Sequence, residues 1–170
     1  MKFLLPLTVL LFFLSACEDE RAISSIHPEN WGHRTASQLP ADSTLELGTT
    51  YLSVYSQIYS QTEKKTHDLT ATVSIRNTNR EDTLYIDHAH YFNTKGELIR
   101  SYFNQPIFVL PMETVEIVID EIDKEGGTGA NFLFDWRRGK AANDPLFESV
   151  MISTSGQQGL SFAVQGKRVQ

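Results

Sequence analysis

His88 and His90 have the spacing of two side chains that could share a metal ion. They lie two residues apart in a segment of alternating polarity, and residues i and i+2 of a β-strand project from the same face. Two imidazoles placed in this way can bind copper or zinc. Leu84, Ile86 and Phe92 have the same parity, however, so both histidines would point inward unless a β-bulge intervenes. A structural or surface histidine pair is therefore favoured over a metal site, and no cofactor is predicted.

Two glycine-rich segments form a second candidate site, the first covering residues 126–131 and the second residues 154–159. If the surrounding strands alternate in direction, both loops emerge at the same end of the fold. They would form a polar rim of neutral side chains, typical of the loops that bind a protein, peptide or glycan. This predicted rim consists of Thr128, Asn131, Ser155, Gln157 and Gln158. The alternative is that both segments are plain connections whose glycines adopt positive φ angles.

No combination of residues matches a catalytic signature. The sequence contains no GxSxG, SxxK or HExxH motif, each of which would indicate a hydrolytic site. The first glycine-rich segment also lacks the Lys-Ser or Lys-Thr pair of a P-loop. Carboxylates are abundant, but no pair of them is singled out by an apolar setting that would raise one pKa for glycosidase-type catalysis. No catalytic residue is therefore predicted.

Cys17 ends a short apolar segment at the N-terminus and is the only cysteine. Residues 3–14 contain one polar side chain, Thr8; this length suits a signal-peptide core and is too short to span a bilayer. Ser15-Ala16-Cys17 resembles the lipobox of bacterial lipoproteins. The resemblance implies cleavage before Cys17 and lipid attachment to its sulfur, and two or more acyl chains make a stable anchor. An ordinary cleaved signal peptide is the alternative.

Composition restricts both function and compartment. The formal net charge is −6 and the basic residues are scattered, so the chain has no electrostatic footprint for nucleic acid. With its single cysteine taken by lipid, the chain can form neither a disulfide nor a thiolate metal site. We expect an acidic protein of the bacterial cell envelope, anchored in the outer membrane or at the periplasmic face of the inner membrane.

The elements that position these residues begin after an irregular segment. Residues 1–16 are the predicted signal peptide. Residues 17–48 lack a sustained hydrophobic period and contain Pro28 and Pro40, which predicts the lipidated cysteine followed by a flexible tether. Residues 49–170 are the predicted folded domain.

Short segments of period two account for the predicted domain. Within residues 51–59, Tyr51, Tyr55 and Tyr59 would line one face of a strand. The predicted strands cover residues 51–59, 69–77, 83–92, 97–103, 113–119, 130–136, 146–153 and 160–165. With no helical period between them, they predict an all-β fold, an antiparallel Ig-like β-sandwich of about eight short strands. A small closed β-barrel is the runner-up.

Several runs of residues carry a resemblance to a known family. They are Val54-Tyr55-Ser56, Leu69-Thr70-Ala71-Thr72, Ser74-Ile75-Arg76-Asn77-Thr78, Gly96-Glu97-Leu98, residues 126–132, Trp136 and residues 151–159. On these runs, residues 51–165 resemble the bacterial lipoproteins catalogued as domain of unknown function 3124. The resemblance implies an envelope location and a domain boundary, and it implies no activity.

Together these features predict a lipid-anchored, non-enzymatic binding or structural module of the cell envelope. Its expected partners are the membrane, through the lipid, and a protein, peptide or glycan. A metal-handling lipoprotein that uses His88 and His90 for copper or zinc is the alternative. A small envelope hydrolase is the third hypothesis.

Overall fold

The structure is a computed structural model that describes Ile23, residues 31–154 and residues 159–170. The predicted signal peptide, Cys17 and residues 18–22 and 24–30 of the predicted tether lie outside these described residues. Ser155, Gln157 and Gln158 of the predicted rim also lie outside them.

Antiparallel β-strands make up the described part of the chain, which contains short 3-10 turns and no α-helix. No helix there is long and apolar enough to cross a membrane. The strands are β1 (Leu45–Ser53), β2 (Gln57–Ser60), β3 (Thr62–Asp68), β4 (Thr70–Arg76), β5 (Leu84–Phe92), β6 (Leu98–Ser101), β7 (Ile107–Val109), β8 (Thr114–Ile119), β9 (Asn131–Gly139), β10 (Leu146–Ser153), β11 (Leu160–Gln165) and β12 (Lys167–Arg168).

Two open sheets form the sandwich. The larger sheet has the order β12-β1-β9-β5-β6, with β7 also paired to β5, and the smaller has the order β11-β10-β4-β8. A separate hairpin of β2 and β3 joins them along the chain. The prediction of an antiparallel β-sandwich is confirmed, and the runner-up prediction of a closed barrel is wrong because neither sheet closes on itself.

The core lies between the facing sides of the two sheets. In β4, Ala71, Val73 and Ile75 are fully buried, as their period-two spacing predicts. From the larger sheet, β9 contributes Phe132, Phe134 and Trp136, and Phe134 stacks on Phe147 of β10 with ring centroids 4.4 Å apart. Large aromatic side chains from both sheets therefore fill the space between them.

The predicted strand at residues 51–59 is wrong, because it is divided between two elements. β1 ends at Ser53 and β2 begins at Gln57. Between them, the Val54 amide donates to the Ala130 carbonyl oxygen, which holds the connection against the start of β9. Tyr51 and Tyr59 therefore belong to different strands and form no common line. Burial still alternates through the connection, so the hydrophobic period gives no sign of the break.

The predicted tether is wrong for its second half. Residues 45–48 belong to β1 and pair with β9, and residues 31–36 form a strap along the domain. In this strap, the centroid of the Trp31 ring lies 5.4 Å from that of the Phe103 ring. Thr35 forms an antiparallel β-bridge with Ile107, and Arg34 forms an ion pair with Glu113. Each contact is made by an isolated residue of a short turn, so no hydrophobic period marks the strap in the sequence.

Candidate functional site

A β-bulge in β5 determines where the two histidines point. Ile86 lies opposite Trp136 of β9, whereas His88 lies opposite Asp135. Asp87 is therefore an extra residue with no residue of β9 opposite it. Before the bulge Ile86 is buried, and after it Ala89 is buried while His88 is exposed. The bulge reverses the parity of the strand. The exception to an inward orientation, a β-bulge, is therefore present, and both His88 and His90 lie on the outer face of the larger sheet.

The bulge residue is held by an ion pair. The Arg137 Nε donates to both carboxylate oxygens of Asp87, at 3.0 and 2.8 Å, and Arg137 Nη1 also donates to Asp42 at 3.0 Å. The Asp87 side chain is 9% exposed, so the paired guanidinium compensates a carboxylate that is costly to bury alone. The hydrogen bonds with Asp87 raise the pKa of Arg137 above its ordinary value.

Three neighbouring strands bring a hydroxyl, a carboxylate and an imidazole into one row. Thr49 of β1 lies opposite Asp135 of β9, which lies opposite His88 of β5. The Thr49 hydroxyl donates to Asp135 Oδ1 at 2.7 Å, and Asp135 Oδ2 lies 3.5 Å from His88 Nδ1. The His88 and His90 rings stack with centroids 5.0 Å apart. The sheet thus fixes an acceptor beside a group that can donate or accept.

This row opens into a cavity of about 390 Å³, which we call the histidine cleft. Among its lining residues, the side chains of Asp135 and His88 are partly exposed to solvent and that of Leu47 is largely exposed. The cleft is lined by Leu47, Gly48, Thr49, Asp87, His88, Asp135, Trp136 and Gln170. In the described part of the chain, no group of three or more His, Cys, Asp or Glu side chains has an arrangement that could hold a metal ion.

Asn131 lies on the same outer face as the histidine cleft. Asn131 is the first residue of β9 and lies opposite Ser53 of β1 and Phe92 of β5, four residues before Asp135. The side chains of Asn131 and Asp135 project from the same face of β9, whereas Phe132 and Phe134 project from the other face and are buried. The structure therefore groups Asn131 with the histidines as well as with the end of the sandwich at which the rim was predicted.

The two loops predicted to form the rim follow strands of the same direction. β8 and β10 both run antiparallel to β4, so the loops that follow them begin at the same end. Thr128 lies there, half-buried within the 3-10 turn Gly127–Gly129. Of the five predicted rim residues, Thr128 and Asn131 are the two that the structure describes.

The first glycine-rich loop is tied closely to the domain. The Thr94 hydroxyl donates to the Gly126 carbonyl oxygen at 3.0 Å and accepts from the Gly129 amide at 2.9 Å. A Cβ atom at Gly126 would overlap the Tyr91 hydroxyl and lie 2.7 Å from Ser56 Oγ. Gly126 is therefore required because the loop packs against buried side chains, which accounts for this segment without a bound molecule.

The acidic residues before these glycines form ion pairs of the fold. Arg100 Nη1 lies 3.1 Å from Asp123 Oδ2, and Arg100 Nη2 lies 3.3 Å from Glu125 Oε2. The same guanidinium donates to the Tyr102 hydroxyl at 3.1 Å. Burial raises the pKa of Tyr102 to about 12, so this hydroxyl stays neutral. The cluster ties β6 to the loop that precedes β9.

Comparison with known proteins identifies the family. Residues 47–169 match the family described as Protein of unknown function (DUF3124). The chain belongs to this family. Membership in DUF3124 confirms the resemblance carried by the runs between residues 54 and 159. No curated protein matches the chain. A crystal structure of Thermotoga maritima 1070 is similar over 71% of this chain and 92% of its own, with 7% sequence identity and a TM-score of 0.44.

The sequence gives no indication of several residues that build the histidine cleft. Thr49, Asp87, Asp135 and Arg137 come from three strands and show no common motif. Their grouping depends on strand order and register, which long-range pairing determines. His88 is the one lining residue of the cleft that the sequence identifies in advance, and His90 stacks on it.

Proposed function

We propose that this DUF3124 protein is a lipid-anchored, non-enzymatic binding module of the bacterial cell envelope. The histidine cleft is its binding site. The observation that carries this proposal is the bulge at Asp87, which turns His88 outward beside the carboxylate of Asp135. A bulge that redirects polar side chains into an open cavity is typical of functional sites in β-proteins.

The Ser15-Ala16-Cys17 motif supports the anchor. Cleavage before Cys17 would leave thirteen residues between the lipidated cysteine and Trp31, where the strap begins. An extended chain of that length spans at most about 50 Å. The domain would therefore stay close to the membrane surface, in the outer membrane or at the periplasmic face of the inner membrane.

The chemistry of the cleft supports binding in preference to bond cleavage. Thr49 is the one hydroxyl side chain that lines the cleft within the described residues, and it donates a hydrogen bond to Asp135. Neither of the histidines contacts it. The base that activates a hydroxyl nucleophile is typically an adjacent imidazole or amine. The neighbour of the Thr49 hydroxyl is instead the Asp135 carboxylate, so this row presents donors and acceptors to an incoming molecule.

The proposal is tested in whole cells with the full chain. Cys17→Ala is expected to fold normally and to move from the membrane fraction to the soluble fraction, whereas the neighbouring control Ser24→Ala stays in the membrane. A photo-crosslinking residue at exposed Leu47 is expected to form adducts in the envelope, and one at exposed Val118, on the opposite sheet, is expected not to.

Two results would contradict the proposal. If Cys17→Ala remains in the membrane and the wild type carries no lipid mass, the anchor is wrong. If crosslinking at Leu47 yields no more adduct than crosslinking at Val118, the histidine cleft is not a binding site in the envelope.

A further inference from the structure

We infer that the histidine cleft binds a neutral carbohydrate, with one sugar hydroxyl held between Asp135 and His88. The inference rests on the proposed binding function and adds the chemical class of the bound molecule. It is carried by the geometry of the Thr49–Asp135–His88 row and by the charges around it.

One hydroxyl group can bridge the carboxylate and the imidazole from the open side of the cleft. Asp135 is fixed by the Thr49 hydroxyl at 2.7 Å, and its second oxygen lies 3.5 Å from His88 Nδ1. This separation is longer than a good N–H···O hydrogen bond of about 2.7–3.2 Å. A hydroxyl group can donate to the carboxylate and accept from the imidazole at the same time. Sugar hydroxyls have this double capacity, whereas ammonium groups donate only and carboxylates accept only.

The charges around the cleft disfavour an anionic molecule. Asp87 and Asp135 line it, and no Lys or Arg is among its described lining residues. The guanidinium groups beside the lining are already paired: Arg137 with Asp87 and Asp42, and Arg168, which donates to the Leu47 carbonyl oxygen, with Glu46 and Asp144. A phosphate or carboxylate would therefore meet two acidic side chains without a free cation to balance it, while a neutral polyol avoids this repulsion.

The cleft also has apolar surfaces suited to the C–H faces of a sugar ring. Leu47 is 58% exposed at one side, and the stacked His88 and His90 rings lie at the other. Tyr51, which is 39% exposed, lies in the same row of the sheet as His90, because both are opposite Leu133. The volume of about 390 Å³ lies within the range of small-molecule sites, about 300–1,000 Å³. The cavity is open, so further sugar units could continue across the sheet face.

The test measures binding of four neutral oligosaccharides: cellohexaose, maltohexaose, xylohexaose and chitohexaose. The full chain, purified in detergent, is titrated with each by calorimetry. We expect at least one to bind, and Asp135→Asn and His88→Ala to weaken it about tenfold or more, as loss of a hydrogen bond to a charged group does. Thr49→Val should weaken it as well and Thr49→Ser should restore it. The controls Glu121→Gln and His33→Ala lie outside the cleft and should leave binding unchanged.

Melting temperatures of all variants are measured alongside, and binding is compared among those that melt like the wild type. Failure of all four oligosaccharides to bind, or binding that the cleft variants leave unchanged, would overturn the inference. Hexalysine is titrated as a cationic probe. If hexalysine binds and Asp135→Asn abolishes its binding, the carbohydrate class is wrong while the cleft remains a binding site, so crosslinking at Leu47 would still succeed.

Discussion

The hydroxyl groups of Tyr91 and Ser56 form a buried hydrogen bond of 2.8 Å beneath the first glycine-rich loop. Both side chains are fully buried. Burial raises the pKa of Tyr91 to about 12, above its ordinary value of 10. Because the folded-state pKa is the higher one, the stabilising contribution of neutral Tyr91 is fully present below pH 10. It is lost as the pH rises from 10 towards 12.

Tyr91→Phe keeps the aromatic ring and removes this hydrogen bond. Ser56 Oγ then lacks its buried partner, so we expect the free energy of unfolding to fall by about 1–3 kcal/mol. The exposed Tyr59→Phe serves as the control and should change stability by less than about 0.5 kcal/mol. Denaturant unfolding at pH 8 and pH 11 measures both effects. Equal stability of Tyr91→Phe and wild type at pH 8 would contradict this account of the loop.

At the scale of whole elements, the strands with one buried face could be predicted from the sequence and the irregular connections could not. β4 alternates between core and surface along its length, and its predicted limits of 69–77 are close to the observed ones. The bulge at Asp87 and the break between β1 and β2 depend on partners in β9 and its flanking loop. Such contacts join residues far apart in sequence, and a local hydrophobic period does not contain them.

The glycine-rich loop before β9 offers a test of structural against recognition roles. Gly126 has an ordinary φ angle of −65°, so alanine is acceptable to the backbone there. Its Cβ atom would nevertheless overlap the Tyr91 hydroxyl and crowd Ser56 Oγ. We expect Gly126→Ala to destabilise the domain by about 1–3 kcal/mol, as overpacking does.

The matched control for this variant is Gly159→Ala, because the nearest atom to a Cβ there lies 3.9 Å away. Thermal melts of the two variants measure the effect. If Gly126→Ala melts like Gly159→Ala, close packing is not the reason for glycine at residue 126. Asn131→Ala, which alters the outer sheet face instead, should leave the melting temperature near that of the wild type.

At the scale of the whole molecule, one carboxylate joins the strap to the sandwich. Glu113 Oε1 accepts from Arg34 Nη1 at 2.8 Å, and Glu113 Oε2 accepts from the Leu110 amide at 2.8 Å. Burial alone would raise the pKa of Glu113, but the hydrogen bonds from Leu110 and Arg34 outweigh it and lower the pKa below its ordinary value of 4.5. The stabilising contribution of this group is therefore present above pH 4.5 and is lost as the pH falls further.

Glu113→Gln should release the strap while the sandwich stays folded. The amide cannot form the ion pair with Arg34. The hydrogen bond of 2.8 Å from the Ala36 amide to the Pro106 carbonyl oxygen should therefore open more often. Hydrogen exchange at pH 7 should become faster in residues 31–36 and stay unchanged in β4 and β9. The exposed Glu81→Gln should behave like the wild type. If exchange in residues 31–36 is as slow in Glu113→Gln as in the wild type, Trp31 and Thr35 hold the strap without this ion pair. Trp31 would then remain the point at which the chain attaches to the domain, and the distance between membrane and domain would not depend on Glu113.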